Sequence, residues 1–170
     1  MNADSGVVME LPGALVLTKT ILCIHDFIWT EILTCRIGAD TFMKQVIHTD
    51  KAPAAAGPYS QAVRAGDFLF VSGQIALVPG TKELCGSGAG EQAARALENL
   101  KAIVEAAGLT MKDVVKVTVI LADIKDFGAV NEVYSNYFNG ECPARAAFQG
   151  GGLPLGALVE IEAVAYHGKE

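Results

Sequence analysis

Residues 114–122, VVKVTVILA, are β-branched almost throughout, and such a run packs as a pleated strand far better than as a helix. Alternation puts Val115, Val117, Val119 and Leu121 on one face and Lys116 and Thr118 on the other, which predicts a strand covered on one side. A helical period stands on either side of it. Upstream, Ala93, Leu97, Leu100, Val104 and Ala107 recur at helical spacing, flanked by Ala96 and Ile103, and predict a helix with one apolar face. Glu91 and Arg95 are spaced to pair on its exposed side, and Gly108 supplies a left-handed stop. Downstream, Asp126 is expected to cap a second helix ending near Phe138, with the stripe Phe127, Val130, Tyr134, Tyr137 and Phe138.

Residues 45–49, 68–72, 75–77, 144–149 and 158–166 read as further strands, with Gly66-Asp67 as the turn before the second. The order β-β-β-α-β-α-β-β predicts an α+β fold, a mixed sheet under two helices packed on one face. Such a sheet leaves its other face to be buried by something, and Val164, Ile75 and Phe148 are expected there. Large apolar surfaces mark interfaces, so a homo-oligomer with its site between subunits is predicted.

The chain of 170 residues is 51% hydrophobic and 19% charged, ample for a packed core, which excludes a disordered chain. Its net charge of -6 comes without basic runs, which argues against a phosphate backbone as the main partner. The four cysteines, Cys23, Cys35, Cys85 and Cys142, form no CxxC pair, and His25, His48 and His167 sit beside no nucleophile motif. A metal site or a catalytic triad is therefore not expected, and a reducing compartment, the cytoplasm, is the simplest setting. Residues 1–42 differ in character from the rest. Their apolar stretch, 14–35, is interrupted by Lys19, Asp26 and Glu31, which speaks against a membrane span, and the acidic start fits neither a secretory signal nor a mitochondrial presequence. An N-terminal extension preceding an alternative start at Met43, a genuine appended helix or strand, and an atypical targeting peptide with a mitochondrial destination all stay open.

Arg145 is the sharpest anomaly, lying in the apolar string Pro143-Ala144-Arg145-Ala146-Ala147-Phe148. A guanidinium there needs a carboxylate: either a structural partner such as Glu160 or Glu162, or a ligand bound by its planar fork. Glu160 and Glu162 alternate along one strand and project from one face roughly 6 to 7 Å apart. They form either a solvated edge or a partly buried carboxylate that holds a water. Asn131 shares the helix face of Phe127 and Tyr134, where it either satisfies loop backbone or reaches a ligand. Gly57-Pro58-Tyr59-Ser60 presents Tyr59 on a rigid turn, as a packing aromatic or as a lid. Gly73, in Ser72-Gly73-Gln74, allows a ligand to approach backbone groups. The Gly-rich residues 86–90 match no phosphate-loop pattern.

Together KAPAAAGPYSQAV (51–63), FVSGQI (70–75), KAIVEAAG (101–108), VVKVTVILADIKDFGAVNEVY (114–134), PARAAFQ (143–149) and VEIEAVA (159–165) closely resemble the RidA family, the YjgF-like reactive-intermediate deaminases. The resemblance spans residues 43–170 and leaves 1–42 untouched. It implies a chorismate-mutase-like fold assembled as a homotrimer with clefts between subunits. It also implies hydrolysis of 2-imino acids, released by serine and threonine dehydratases, to 2-keto acids and ammonia, with neither metal nor organic cofactor. Residue by residue it assigns Arg145 as the carboxylate binder, Glu160 as the site glutamate, and Tyr59, Asn131, Gly73 and Ala147 as substrate-binding positions. Two positions depart from the family pattern. Ala147 stands where a cysteine is common, so a thiol nucleophile is not required, and Gly150-Gly151-Gly152 replaces an apolar linker at the cleft wall. The expected mechanism has Arg145 clamping the substrate carboxylate while Glu160 orients water toward the imine carbon. The alternatives are a ribonuclease or translation inhibitor, and a ligand-binding or chaperone-like trimer without turnover.

Overall fold

The computed structural model describes residues 8–10, 15–24, 28–37 and 44–168, with side chains from residue 44 onward. Met43 and His25 lie outside the described residues. The chain forms two compact units, Met1–Thr41 and Phe42–Glu170. In the first, β1 (Val8–Glu10), β2 (Leu15–Ile24) and β3 (Ile28–Ile37) form an antiparallel meander in which Leu22 faces Thr30 and Thr18 faces both Val8 and Thr34. No helix of the described residues is long and apolar enough to cross a membrane.

The second unit is a six-stranded mixed sheet with two helices. Its strands are β4 (Lys44–Ile47), β5 (Ala62–Ala65), β6 (Phe68–Gln74), β7 (Val114–Leu121), β8 (Ala144–Gln149) and β9 (Val159–Tyr166), ordered β4-β5-β6-β9-β7-β8. Helix α1 (Ala89–Ala106) joins β6 to β7, and β9 is inserted between those two strands, antiparallel to both. Helix α2 (Phe127–Tyr137) crosses from β7 to the edge strand β8, which runs parallel to it. The α1 stripe forms as expected: Leu97, Leu100, Ile103 and Val104 are fully buried against the sheet, each contributing about 1.5–3 kcal/mol of transfer free energy. Gly108, at φ 76, ends the helix in the left-handed region.

Several local expectations need correction. Residues 62–65 form a strand that their mild alternation did not announce. Residues 75–77 do not form one; Leu77 makes only an isolated bridge to Leu84. In β7 the pairing with β9 slips between Val114 and Lys116, so Val114 enters the core and Val115 turns outward. The side chain of Asp126 makes no capping bond; Asp123 instead accepts from the Lys125 N–H, starting the short 3-10 turn Ile124–Asp126 before α2. Glu91 does not hold Arg95. Its carboxylate accepts from the Ser87 N–H at 2.8 Å across the start of α1, while the Arg95 Nε donates to Asn99 at 3.0 Å. Those bonds to the Ser87 and Gly88 backbone hold Glu91 below its ordinary pKa. The Gly-rich loop is thus a helix start capped by its own glutamate.

The sheet face away from the helices carries Phe68, Phe70, Val164 and Tyr166, with the Phe68 and Tyr166 rings packed at a 50° tilt, 5.1 Å between centroids. Phe68, Phe70 and Phe148 are all exposed on this face. Among the large apolar side chains it is the best-populated uncovered surface of the unit.

Candidate active site

Glu160 and Glu162 sit on β9 between buried Val159, Ile161 and Ala163, so both project from the open face, as their alternation requires. Glu160 is half-buried. Burial, reinforced by the like charge of Glu162, raises its carboxyl above the ordinary value of 4.5. Its neighbour across the sheet is β6, whose register against β9 shifts between Val71 and Gln74. The irregularity lays Gly73 under the carboxylate: a Cβ built on Gly73 would stand 1.9 Å from Glu160 Oε1. A side chain at 73 would displace the Glu160 carboxylate from this position, so glycine leaves room for it, a reason the sequence alone did not show.

A cleft of about 500 Å³ opens beside this pair, lined by Tyr59, Gln61, Ser72, Gly73, Gln74 and Glu160, with apolar walls that include Ile75 and Leu155. The loop carrying Tyr59 is fixed from below by Gln61, a buried amide unremarked in the sequence. It accepts from the Thr49 N–H at 2.8 Å and donates to the carbonyls of Thr49 and Pro53 at 2.9 and 2.8 Å. Ser72 Oγ donates to the Ser60 carbonyl at 2.7 Å, tying β6 to the same loop. The Tyr59 hydroxyl accepts from the Ala56 N–H at 3.3 Å, while its ring stays half-exposed at the cleft.

Arg145 lies elsewhere. On β8 it stands opposite Val117 of β7, a fully buried residue that faces the helices, whereas Glu160 stands opposite Ile120, which faces the open side. Neighbours across a ladder share a face. Arg145 therefore belongs to the helix side of the edge strand and Glu160 to the opposite side of the same sheet. This removes the structural ion pair of Arg145 with Glu160 or Glu162. The guanidinium instead donates from Nη2 to Asn131 Oδ1 at 3.0 Å and lies 4.5 Å from the Tyr134 ring centroid and 5.5 Å from that of Phe127. Asn131 spends its oxygen on the arginine, not on loop backbone. Tyr134, Cys142 and Pro143 line the recess in which Arg145 sits. The Tyr134 hydroxyl is buried without a hydrogen-bond partner, and burial pushes its pKa up to about 12 despite the opposing arginine charge. No carboxylate of the described residues reaches ion-pair distance of Arg145.

The expected residues thus form two groups, Tyr59, Gly73 and Glu160 on one side and Asn131 and Arg145 on the other. Ala147 joins neither; it packs against the core. Phe127 and Tyr134 were read as the helix's apolar stripe; Tyr134 does lie in the buried core while Phe127 is exposed, and both rings cradle the arginine. Of the three linker glycines, a side chain at Gly150 would meet Ile120 Cγ2 at 2.6 Å, whereas Gly151 and Gly152 face open space. Among the described residues no cluster of three or more His, Cys, Asp or Glu could hold a metal ion.

Residues 49–167 match the family sequence model described as Endoribonuclease L-PSP. The mouse 2-iminobutanoate/2-iminopropanoate deaminase is 52% identical over 128 residues, covering 75% of this chain and 95% of the mouse protein. The human protein of the same name is 49% identical over 128 residues, covering 75% and 93%. Among solved structures, RidA from an Antarctic Psychrobacter superposes with a TM-score of 0.69 at 50% identity, covering 72% of this chain and 98% of that one. Escherichia coli TdcF with bound serine gives 0.70 at 42% identity, covering 73% and 99%. With more than two-thirds of its length matched, and with nearly the whole of each relative covered, the chain belongs to the RidA (YjgF-like) family.

Proposed function

We propose that the protein is a 2-iminobutanoate/2-iminopropanoate deaminase, hydrolysing the reactive imines released by serine and threonine dehydratases to 2-keto acids and ammonia. The observation that carries this reading is Arg145: a guanidinium oriented by Asn131 and two aromatic rings, with no carboxylate partner among the described residues. Such a fork is preorganised for a ligand carboxylate. The names of the mouse and human relatives supply the reaction, and the serine bound to TdcF is a small amino acid of the same carboxylate class.

Because Arg145 and Glu160 lie on opposite sides of one sheet, a site using both takes them from two chains. This supports an oligomer, the homotrimer that the family resemblance implies, in which the open apolar face is covered by a neighbour and the Arg145 recess of one subunit meets the Glu160 cleft of the next. In that cleft the arginine holds the carboxylate of the protonated imine. Glu160, as the carboxylate, takes a proton from a water as its oxygen bonds to the imine carbon, whose π electrons pass to nitrogen. The protonated Glu160 then returns the proton to nitrogen, the hydroxyl oxygen's electrons form the carbonyl as the C–N bond breaks, and the hydroxyl proton passes through the regenerated Glu160 carboxylate to the departing ammonia, leaving the keto acid and ammonium ion. The raised pKa of Glu160 suits both halves of this exchange.

The test couples the protein to a threonine dehydratase and follows keto acid release. Arg145→Ala is expected to lose at least about a hundredfold in kcat/KM, the usual scale for removing a charge-assisted contact to a buried ligand charge. Unchanged acceleration by the variant sinks the assignment. The description of the family model favours RNA cleavage as the second reading. RNA hydrolysis that survives both Arg145→Ala and stringent purification revives it.

A further inference from the structure

Leu155 is the one non-glycine among the described residues with a left-handed backbone, at φ 56 and ψ 17. That region is disfavoured for residues with a Cβ, and such outliers cluster at functional sites. Burial within its own chain does not account for it either, since the residue is 67% exposed there. The conformation is nonetheless held firmly. Pro154 fixes entry to the turn, Gly156 follows at φ 73, the N–H groups of Gly156 and Ala157 donate to the carbonyls of Leu153 and Pro154 at 3.1 Å, and Ala157 is buried. The effect is to set an apolar side chain on the wall of the Glu160 cleft, together with Pro53, Ala54, Ile75, Leu77 and Pro154.

We propose that Leu155 is a specificity-determining residue, an apolar wall that packs against the substrate side chain and favours 2-imino acids with larger aliphatic groups over 2-iminopropanoate. The inference rests on the deaminase reading and refines its substrate range. With the carboxylate held by Arg145 and the imine carbon set at Glu160, the side chain is the one part of the ligand left to meet these apolar walls.

Two variants isolate the side chain from the backbone. Leu155→Gly keeps the left-handed turn and removes the wall, while Leu155→Asn tolerates the same turn and replaces the apolar surface with a polar one. The imines are generated in place from alanine and from leucine by an L-amino-acid oxidase with catalase, and their hydrolysis is followed. In both variants kcat/KM for the leucine-derived imine is expected to fall about tenfold, with less than about a twofold change for the alanine-derived one. Calorimetric titration of the intact protein with 4-methyl-2-oxopentanoate and with pyruvate should show the same split in affinity. Equal effects on both ligands, or on neither, overturn the proposal, as does a lowered melting midpoint in Leu155→Gly, which would make Leu155 a packing residue. A wild-type protein that hydrolyses neither imine fails the deaminase reading separately, and the two keto acid affinities still decide the role of Leu155.

Discussion

Glu160 is held at a cost that its position explains. It is half-buried on an apolar strand, beside the like charge of Glu162, so its charged form is disfavoured relative to the unfolded chain. A carboxyl with a raised folded pKa keeps its proton longer in the fold, and stability therefore falls as pH rises from the ordinary value of 4.5 through the folded one. The deficit persists above that window and vanishes below it. Glu160→Gln is accordingly expected to resist urea better than wild type at neutral pH, to lose that advantage near pH 4, and to lose catalysis throughout. Glu162→Gln removes the like charge but leaves Glu160 in place, so the acidic limb of the pH–rate profile should move to lower pH. Urea midpoints and rates across pH measure both effects. A limb that does not move in Glu162→Gln would assign the ionisation to another group.

At the scale of elements, the difference between what was legible and what was not is a difference between period and register. The apolar stripe of α1 and the alternation of β7 and β9 are consequences of helical and pleated geometry, and the structure reproduces them. Val115 broke the pattern because a slip in pairing, which leaves no mark in composition, put Val114 instead of Val115 in phase with the buried Val117, Val119 and Leu121. The candidate residues were legible one at a time, as a cation among alanines or glutamates on an apolar strand. The reasons for their placement were not. Gln61 shows why: its work is to bond the backbone at Thr49 and Pro53, at 12 and 8 residues' separation, and sequence spacing carries no trace of that. The amide braces the loop bearing Tyr59 against the start of β5. Gln61→Leu, similar in volume, leaves several backbone groups unpaired and should cost about 1–3 kcal/mol in urea unfolding. If Gln61 only filled space, the variant would be as stable as wild type.

For the whole molecule, the parity of the sheet is the strongest constraint. Adjacent strands keep a common face, and from Arg145 through Val117, and from Glu160 through Ile120, the ladder assigns the two residues to opposite sides. No side-chain rotation brings them into one site within a chain, whereas a neighbouring subunit docked on the open face can. Complementation tests this arrangement directly. Arg145→Ala retains a working Glu160 cleft, and Glu160→Gln retains a working Arg145 recess, so under the proposed shared site each variant on its own is expected to be inactive. When equal amounts are unfolded and reassembled together, each interface draws its arginine from an intact donor half the time and its glutamate likewise. About a quarter of the interfaces, ½ × ½, are then whole, and about a quarter of wild-type activity should return. Native mass spectrometry of tagged chains establishes that mixed oligomers have formed. Mixed oligomers that remain inactive would place both residues' contributions within one subunit and exclude the shared cleft; recovery near one quarter requires that each site be built by two chains.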